Sequence, residues 1–323
     1  MSKKKQKKKQ KRSLVYIYIS FGLVVFWLTI GLLLFFQKQP ASMYVYPDNP
    51  KQGDTVLIRV KGETNSASGK LGEENLAFYQ KSKSEWVALL GIDADKEPGI
   101  YNISVSSGLD KFAKDISVSL ADFSVAKPAK TPNVKKEGYT KNTALNNIVN
   151  VDGPALKQIL TRFTQKPYFN GSFVFPLEEV EKSGYSFGRF IQFAKYKIQH
   201  LGVDLRAPEK TDIHAVNDGK VVSTINLSNG GKTVVIDHGL NIFSMYLHLE
   251  EFKVSEGDMV KRNQIIGLSG DTGYSTAPHL HFSMRVGSSR IDPIVFIQTT
   301  KKLDDDSILA NISRAVLNVF NKE

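Results

Sequence analysis

Histidine is the residue type of this sequence with the clearest capacity for chemistry, and all six histidines lie between positions 200 and 281. Three motifs hold five polar residues: H-x-G-x-D contains His200 and Asp204, Y-L-H contains His248, and H-x-H contains His279 and His281. A catalytic zinc site takes three protein ligands from nitrogen and oxygen donors and leaves a fourth position open. Two histidines and one aspartate satisfy that number. Two histidines then remain for proton transfer, since an unperturbed imidazole has a pKa of about 6.5.

Amide hydrolysis is the chemistry that such a set would support. Zn2+ lowers the pKa of water from about 15.7 to about 7, and a neighbouring histidine can take that proton and return it to a leaving amine. The sequence contains no cysteine, which excludes disulfides and thiolate ligands. It also lacks an H-E-x-x-H motif, so a glutamate base in that arrangement is excluded.

The elements that must position these residues are β-strands, in which successive side chains point to opposite faces. The segments HLGVDLR, FSMYLHL and HLHFSMRV all alternate apolar with polar residues. The polar sets are His200, Gly202, Asp204 and Arg206; Ser244, Tyr246 and His248; and His279, His281, Ser283 and Arg285. If the strands are neighbours in one sheet, the histidines and Asp204 converge on one groove and form a metal site. The alternative is that the histidines are polar residues on the solvated face of a strand.

The N-terminal region predicts a membrane anchor. Eight of the eleven net positive charges lie in residues 1–13, a basic tail, which leaves +3 for the rest and argues against a nucleic-acid partner. Residues 14–36 carry no charge and as a helix would be roughly 34 Å long, enough to cross a hydrocarbon core of about 30 Å. The positive-inside rule places residues 1–13 in the cytoplasm and the main body on the periplasmic or cell-wall side of a single-pass membrane protein. A cleaved signal peptide and a buried core helix are the alternatives.

The fold class predicted for the remainder is mainly β. Residues 42–126 contain short strands at the spacing of a small Ig-like β-sandwich, which would serve as a spacer or docking module. Residues 127–170 are predicted to be a linker with a short helix in GPALKQILTRFTQ. Residues 171–300, which are glycine-rich and alternate apolar with polar residues, are predicted to form a second β domain. In residues 301–323 the apolar positions Ile308, Ile312, Val316 and Phe320 predict an amphipathic C-terminal helix.

The second domain resembles the lysostaphin-type, or LytM-like, zinc endopeptidases that cut peptidoglycan cross-bridges. The resemblance covers residues 171–298 and is carried by YSFGRF, HLGVDLRAP, IHAVNDGKVV, GGKTVVIDHG, MYLHL, EGDMVKRNQIIGLSGDTGYSTAPHLHF and IDP. It implies an antiparallel β fold of the duplicated hybrid motif type, with a long groove and a metal at its floor. It also implies that His200, Asp204 and His281 bind one Zn2+. His248 and His279 would be the catalytic histidines that do not bind metal, and which of them is the base stays open.

The resemblance implies a zinc endopeptidase that hydrolyses peptide cross-links of peptidoglycan, and together with the predicted anchor it predicts a membrane-anchored enzyme. Some members of the family have lost zinc ligands and act as activators or scaffolds; here every ligand and both additional histidines are present, which favours an enzyme. The alternative is a binding protein that recruits or activates other cell-wall enzymes, with an envelope protein partner docked on the β-sandwich. A hydrolase for peptides outside the wall is a third possibility. Structural or surface roles are predicted for His214 and His238.

Overall fold

The computed structural model describes residues 41–62, 64–126, 140–180, 186–193 and 196–305, together with five residues between 23 and 29. The chain divides into two compact units, residues 1–41 and residues 42–323. Among the described residues, no helix combines the length and the apolar composition that a bilayer crossing requires. The predicted span at 14–36 lies outside the described residues except for those five, which are helical and exposed. The basic tail at 1–13 also lies outside them.

Residues 42–118 form two four-stranded antiparallel sheets, in the orders β1-β2-β6-β5 and β4-β3-β7-β8. The strands are β1 Ser42–Tyr46, β2 Thr55–Lys61, β3 Ala67–Leu71, β4 Glu74–Leu76, β5 Phe78–Ser82, β6 Glu85–Gly91, β7 Gly99–Ser107 and β8 Asp110–Val118. One apolar core lies between the sheets, with Ile58 and Leu90 from the first and Ile103 and Ile116 from the second. We call residues 42–126 the β-module; its relation to Ig domains stays a prediction.

Residues 141–159 are helical, whereas the sequence predicted a linker with a helix only from residue 153. The segment consists of α1 (Lys141–Asn147), a π-helical turn (Ile148–Asp152) and α2 (Gly153–Ile159). Its start is fixed by Thr140, whose hydroxyl accepts a hydrogen bond from the Thr143 amide, a side-chain N-cap. The apolar residues of α2 pack on the sheet and stabilise the helices. The polar composition of residues 127–150 did not indicate that a helix begins at residue 141. We call residues 141–159 the helical segment.

The second domain is built on a nine-stranded antiparallel sheet and a three-stranded sheet ordered β11-β10-β9. The three-stranded sheet contains β9 Val125–Ala126, β10 Phe190–Phe193 and β11 Tyr196–Gln199. The larger sheet contains β12 Val203–Leu205, β13 Asp212–His214, β14 Gly219–Leu227, β15 Gly231–Asp237, β16 Ile242–Phe252, β17 Met259–Val260, β18 Ile265–Ser269, β19 Leu280–Val286 and β20 Ser289–Ile291. A short helix, α3 (Pro293–Thr300), follows. The prediction of a mainly β, antiparallel fold with a short C-terminal helix is therefore confirmed.

That C-terminal helix lies earlier than the sequence indicated. It covers residues 293–300, and residues 301–303 form a 3-10 turn. Asp292 caps α3, because its side chain accepts hydrogen bonds from the amides of Ile294 and Val295. The amphipathic helix predicted for 301–323 falls mostly on residues 306–323, which lie outside the described residues.

The central strands β15 and β16 are buried on both faces. One face contributes Val234, Ile236 and Tyr246 to the main core of the domain, and the other contributes residues such as Phe243 and Met245 to a second cluster that α2 covers. The prediction that Tyr246 lies on a solvated face is therefore wrong. Its side chain is fully buried, and its hydroxyl accepts a hydrogen bond from the Val216 amide. The alternation of apolar and polar residues identifies the two faces of a strand, but it does not show which face is exposed to solvent.

Candidate metal centre

The metal centre begins with a cross-strand pair. β12 and β19 are antiparallel neighbours, and their register places Asp204 directly opposite His281. His281 also lies opposite Leu247 of β16, so β19 holds the centre of the site. The apolar residues that alternate with His281 along β19 are buried, which fixes the face on which the imidazole lies.

His200 reaches the site from a loop rather than from the strand that the sequence predicted. β11 ends at Gln199 and β12 begins at Val203. Gly202 lies between them, and a side chain is excluded there because a Cβ atom would lie 2.5 Å from Nε2 of His281. His200 is held by main-chain hydrogen bonds, because its amide donates to the Arg189 carbonyl and its own carbonyl accepts from the Gly188 amide.

The three residues expected to bind the metal form a compact triangle of donor atoms. Nε2 of His200 lies 3.0 Å from Nδ1 of His281, Nδ1 of His281 lies 3.0 Å from Oδ1 of Asp204, and the third edge, from Nε2 of His200 to Oδ1 of Asp204, is 3.2 Å. Donors bound at about 2.0–2.2 Å to a tetrahedral ion are roughly 3.3–3.5 Å apart. The triangle is thus close to the size that Zn2+ needs. The chemistry of the donors agrees, since two imidazole nitrogens and a carboxylate oxygen suit zinc.

Carbonyl oxygens fix the orientation of three of the four histidines at the site, all except His281. Nδ1 of His200 lies 3.0 Å from the Ser186 carbonyl, and Nδ1 of His248 lies 2.8 Å from the Thr272 carbonyl. Nδ1 of His279 lies 2.8 Å from the Ala277 carbonyl. A carbonyl oxygen can only accept, so each Nδ1 carries the proton and each Nε2 is left with its lone pair. This arrangement is typical of histidines that bind a metal or transfer protons.

His248 and His279 lie beside the triangle. Nε2 of His279 is 3.6 Å from Oδ1 of Asp204, and the rings of His248 and His279 have centroids 4.8 Å apart. His248 has a positive φ of 63°, unusual for a residue with a side chain, at an irregularity of the β16 pairing. This irregularity directs the imidazole toward His279.

The electrostatics of the site follow from burial and from the contacts of Asp204. Burial alone would raise the pKa of Asp204, but the hydrogen bonds with His200 and His281 hold it well below its usual range. Burial would likewise lower the pKa of His200, yet the hydrogen bond to Asp204 raises it overall. For His281 burial prevails and lowers the pKa. Burial and then the charges of His279 and His281 lower the pKa of His248 to about 3, so His248 is neutral at pH 7.

The structure brings together all five residues that the sequence selected, and their individual roles stay predictions. Sequence reasoning missed Ser186, whose carbonyl orients His200 and whose hydroxyl accepts a hydrogen bond from the Asp204 amide at 2.9 Å. It also missed Thr272, whose contribution to His248 is a main-chain carbonyl. The motif YSFGRF, which contains Ser186, could have identified that residue from the sequence. No motif could have identified the Thr272 contact, because every residue type has a main-chain carbonyl.

The two other histidines lie away from the triangle. His238 is fully buried, with Nδ1 2.8 Å from the Asp218 carbonyl and Nε2 2.7 Å from the Ser244 hydroxyl. Burial lowers the pKa of His238 to about 4, which fits a neutral structural residue. His214 lies in β13 and lines a separate cavity of about 490 Å³ with Arg206.

An antiparallel β domain that brings a His-Asp-His donor set together from two strands and a loop defines a metallopeptidase type of site. Residues 198–293 match the model of peptidase family M23, so this part of the chain is similar to the domain of that family. Zinc is the cofactor of family M23 peptidases, and the His200, Asp204 and His281 set fits it.

Two proteins illustrate the similarity in sequence. The glycyl-glycine endopeptidase ALE-1 of Staphylococcus capitis is 37% identical over 124 residues, which are 36% of this chain and 34% of ALE-1. The peptidoglycan DD-endopeptidase ShyA of Vibrio cholerae is 45% identical over 87 residues, 27% of this chain and 20% of ShyA. The chain thus spans about a third or less of the length of these relatives.

A solved structure extends the similarity in fold to both halves of the described chain. The crystal structure of a peptidase M23 from Pseudomonas aeruginosa aligns with a TM-score of 0.56 and 23% identity. The alignment covers 77% of this chain and 95% of that protein. At this identity the match establishes the fold alone.

Proposed function

We propose that this protein is a zinc-dependent endopeptidase that hydrolyses peptide cross-links of bacterial peptidoglycan. The observation that carries the proposal is the triangle of His200, Asp204 and His281 with two further histidines beside it. The similarity to ALE-1 and ShyA, both endopeptidases by name, supports the substrate class.

The reaction needs a nucleophile, a polarised carbonyl and a route for one proton. A zinc ion held by the three ligands would act as a Lewis acid that acidifies water and polarises the scissile carbonyl. His248 and His279 are held with the lone pair at Nε2, so one of them accepts the proton of the attacking water. The imidazolium formed returns that proton to the leaving amine. The other imidazole lies beside the same donor triangle, where it can orient the reacting groups.

Hydrolysis of intact sacculi by the purified full-length protein tests this proposal. We expect release of peptide fragments that stops when the zinc is removed with a chelator and returns when Zn2+ is added. His279→Ala should abolish hydrolysis while the protein keeps its zinc, because His279 is not one of the three ligands. If the wild-type protein releases nothing at any zinc concentration, the endopeptidase proposal fails. Mass spectrometry of the fragments would identify the bond that is cut.

We also propose that residues 14–36 anchor the chain in the membrane, with residues 1–13 in the cytoplasm and the peptidase domain outside. The absence of charge in 14–36, the eight cations before it and the exposed apolar side chains of Leu23, Phe26 and Trp27 support this. The protein should stay in the membrane fraction after alkaline extraction and be digested by protease added outside the membrane. Release into the soluble fraction would contradict the anchor.

A second candidate function is a scaffold that docks an envelope protein on the β-module. Ile100 and Leu120 are large apolar residues that are mostly exposed near one end of the β7–β8 hairpin, where Ile100 pairs with Ser117, which favours a binding surface there. The two functions are separable in a deletion strain. A scaffold predicts that the chain with His281→Ala complements the deletion as well as the wild type does, whereas an enzyme predicts no complementation.

A further inference from the structure

Asp152 is a buried carboxylate whose contacts are unusual for its position. It occupies the N-cap position of α2 but makes no side-chain hydrogen bond to that helix. Its carboxylate instead accepts main-chain hydrogen bonds from Ser228 at 2.8 Å and Asn229 at 2.7 Å, with Gly230 at 3.4 Å. These three residues are the turn between β14 and β15, 76 to 78 positions further along the chain. A carboxylate that binds several N–H groups fixes the conformation of the turn.

The turn that Asp152 binds is in direct contact with His248. The Gly230 carbonyl accepts a hydrogen bond of 2.8 Å from the His248 amide. Since His248 has a positive φ, its conformation costs free energy and depends on such contacts. One end of His248, the main-chain amide, is therefore held by the turn.

The other end of His248 is held by a loop that packs on the same turn. The Thr272 carbonyl accepts from Nδ1 of His248, the Thr272 hydroxyl lies 3.0 Å from the Lys232 amide, and the Tyr274 amide donates to the Asn229 carbonyl. The two backbones touch: a Cβ at Gly231 would lie 2.4 Å from the Thr272 carbonyl, and one at Gly273 would lie 2.3 Å from the Asn229 carbonyl. A displacement of the turn is thus transmitted to both hydrogen bonds of His248.

The helical segment that carries Asp152 is itself fixed on the sheet. Ile159, Leu156 and Leu160 pack against the β-sheet cluster that contains Phe243 and Met245. At the other end, Nδ2 of Asn229 donates to the Ala144 carbonyl of α1 at 2.7 Å. The segment therefore provides a rigid support on which the turn rests.

We infer that Asp152 is a positioning residue for His248, which acts through the β14–β15 turn, and that the helical segment is part of the catalytic apparatus. The inference deepens the proposed function and rests on it, since it assigns the support of a histidine that the reaction uses. Loss of the carboxylate lets the turn relax and misplaces the imidazole, and misplacement by about 1 Å can cost 100-fold in rate. The side-chain hydrogen bonds that hold the three zinc ligands join them to one another and to Ser186, not to the turn, so we expect zinc binding to be unaffected.

The test compares three variants of the full-length protein with the wild type. Asp152→Ala removes the carboxylate, and Asp152→Asn keeps one carbonyl oxygen that can still accept from the turn. Asp237→Ala is the matched control, because Asp237 is also buried and also accepts two main-chain hydrogen bonds, from Thr164 and Gly239, away from His248. The readouts are kcat and KM on a soluble cross-linked muropeptide, zinc content, and hydrogen exchange of the amides at 246–250 and 272–275.

Asp152→Ala should lower kcat by about 10- to 100-fold with KM within about twofold and zinc content unchanged. Asp152→Asn should restore most of kcat, and Asp237→Ala should change neither constant in its folded fraction. Amide exchange near His248 should accelerate in Asp152→Ala but not in Asp237→Ala. Equal exchange in the two alanine variants, or an unchanged kcat for Asp152→Ala, would overturn the inference. If the wild type has no activity, the proposed function fails, and the exchange data still decide whether Asp152 supports His248.

Discussion

His281 is the residue on which most contacts of the metal centre depend. Its Nδ1 lies 3.0 Å from both Nε2 of His200 and Oδ1 of Asp204, and β19 places it opposite Asp204. The sequence predicted the types and the spacing of these residues, because metal ligation restricts them to a few chemical groups. It did not predict the orientation of the rings, because the carbonyls of Ser186, Thr272 and Ala277 that fix it belong to the main chain.

His281→Ala should remove the zinc and the activity together. In the proposed site His281 is one of three protein ligands, and two ligands fall short of the three that a catalytic zinc site takes from the protein. Zinc content after gel filtration, measured by elemental analysis, should fall from about one ion per chain to near zero, and hydrolysis of sacculi should cease. His214→Ala is the control, since His214 lies in β13 outside the triangle and its loss should leave zinc content unchanged.

Ser186→Ala should weaken zinc binding without abolishing it. The Ser186 hydroxyl accepts from the Asp204 amide, whereas the carbonyl that orients His200 belongs to the main chain and survives the substitution. Groups that orient metal ligands typically contribute 10- to 100-fold to metal affinity. We expect a decrease of about 10-fold in a competition titration with a chromophoric chelator. An unchanged affinity would show that the hydroxyl contact has no effect on the ligand.

The sequence predicted a strand or helix best where a single physical rule, such as the alternation of buried and exposed residues, determined its structure. Alternation identified the buried side of β19, because Leu280, Phe282 and Met284 are all fully buried. It failed for His200, which lies in a loop between β11 and β12, and it could not predict the irregularity at His248. These departures bring the imidazoles together, and no periodic pattern encodes them. The helix in GPALKQILTRFTQ was predicted, but α1 and the π-helical turn at 141–152 were missed, because their composition is typical of a linker.

The N-cap of α3 should make stability depend on pH. Burial raises the pKa of Asp292 to about 7, well above the ordinary value of about 3.9 in the unfolded chain. The folded protein therefore binds the proton more tightly, and stability that is present below pH 4 is lost as the pH rises through 7. In Asp292→Asn the side chain still has an oxygen that can accept the cap hydrogen bonds, but it no longer ionises.

Denaturant unfolding of the metal-free protein between pH 4.5 and 8 measures this effect. The free energy of unfolding of the wild type, relative to that of Asp292→Asn, should decrease by up to about 4 kcal/mol over this interval. The difference between the two proteins removes the contribution of all other groups that titrate equally in both. A constant difference across the interval would mean that Asp292 is already ionised at pH 4.5.

At the scale of the whole molecule, the β-module and the peptidase domain share a core. Leu57 and Leu89 of the β-module belong to the same buried cluster as Phe282 and Phe296 of the peptidase domain. Arg290 forms a two-point ion pair with Asp93 across the contact. The sequence predicted two β units but not the contact between them. Gly91 illustrates the reason: nothing in the sequence around it indicates that Ser289 and Ile291 pack on it.

Gly91→Val should destabilise both halves at once. A Cβ atom at Gly91 would lie 2.8 Å from Cβ of Ser289 and 2.9 Å from Cγ2 of Ile291, closer than packing allows. Overpacking of this kind costs about 1–3 kcal/mol. Calorimetry should show a single transition for the wild type and a lower Tm, or two separated transitions, for the variant. Ala113→Val adds a larger side chain at an exposed position of β8 and should leave the Tm nearly unchanged.

The last described residues, 302–305, are hydrogen-bonded to strands of the β-module. Nη1 of Arg59 in β2 donates to the carbonyls of Lys302 and Asp305, and Nζ of Lys81 donates to the Leu303 carbonyl. A protease that cuts once between residues 127 and 139 would therefore produce a nicked molecule rather than two separate pieces. Its two fragments should co-elute under native conditions and separate only in denaturant. An unchanged elution volume in gel filtration would therefore not prove that the backbone is intact.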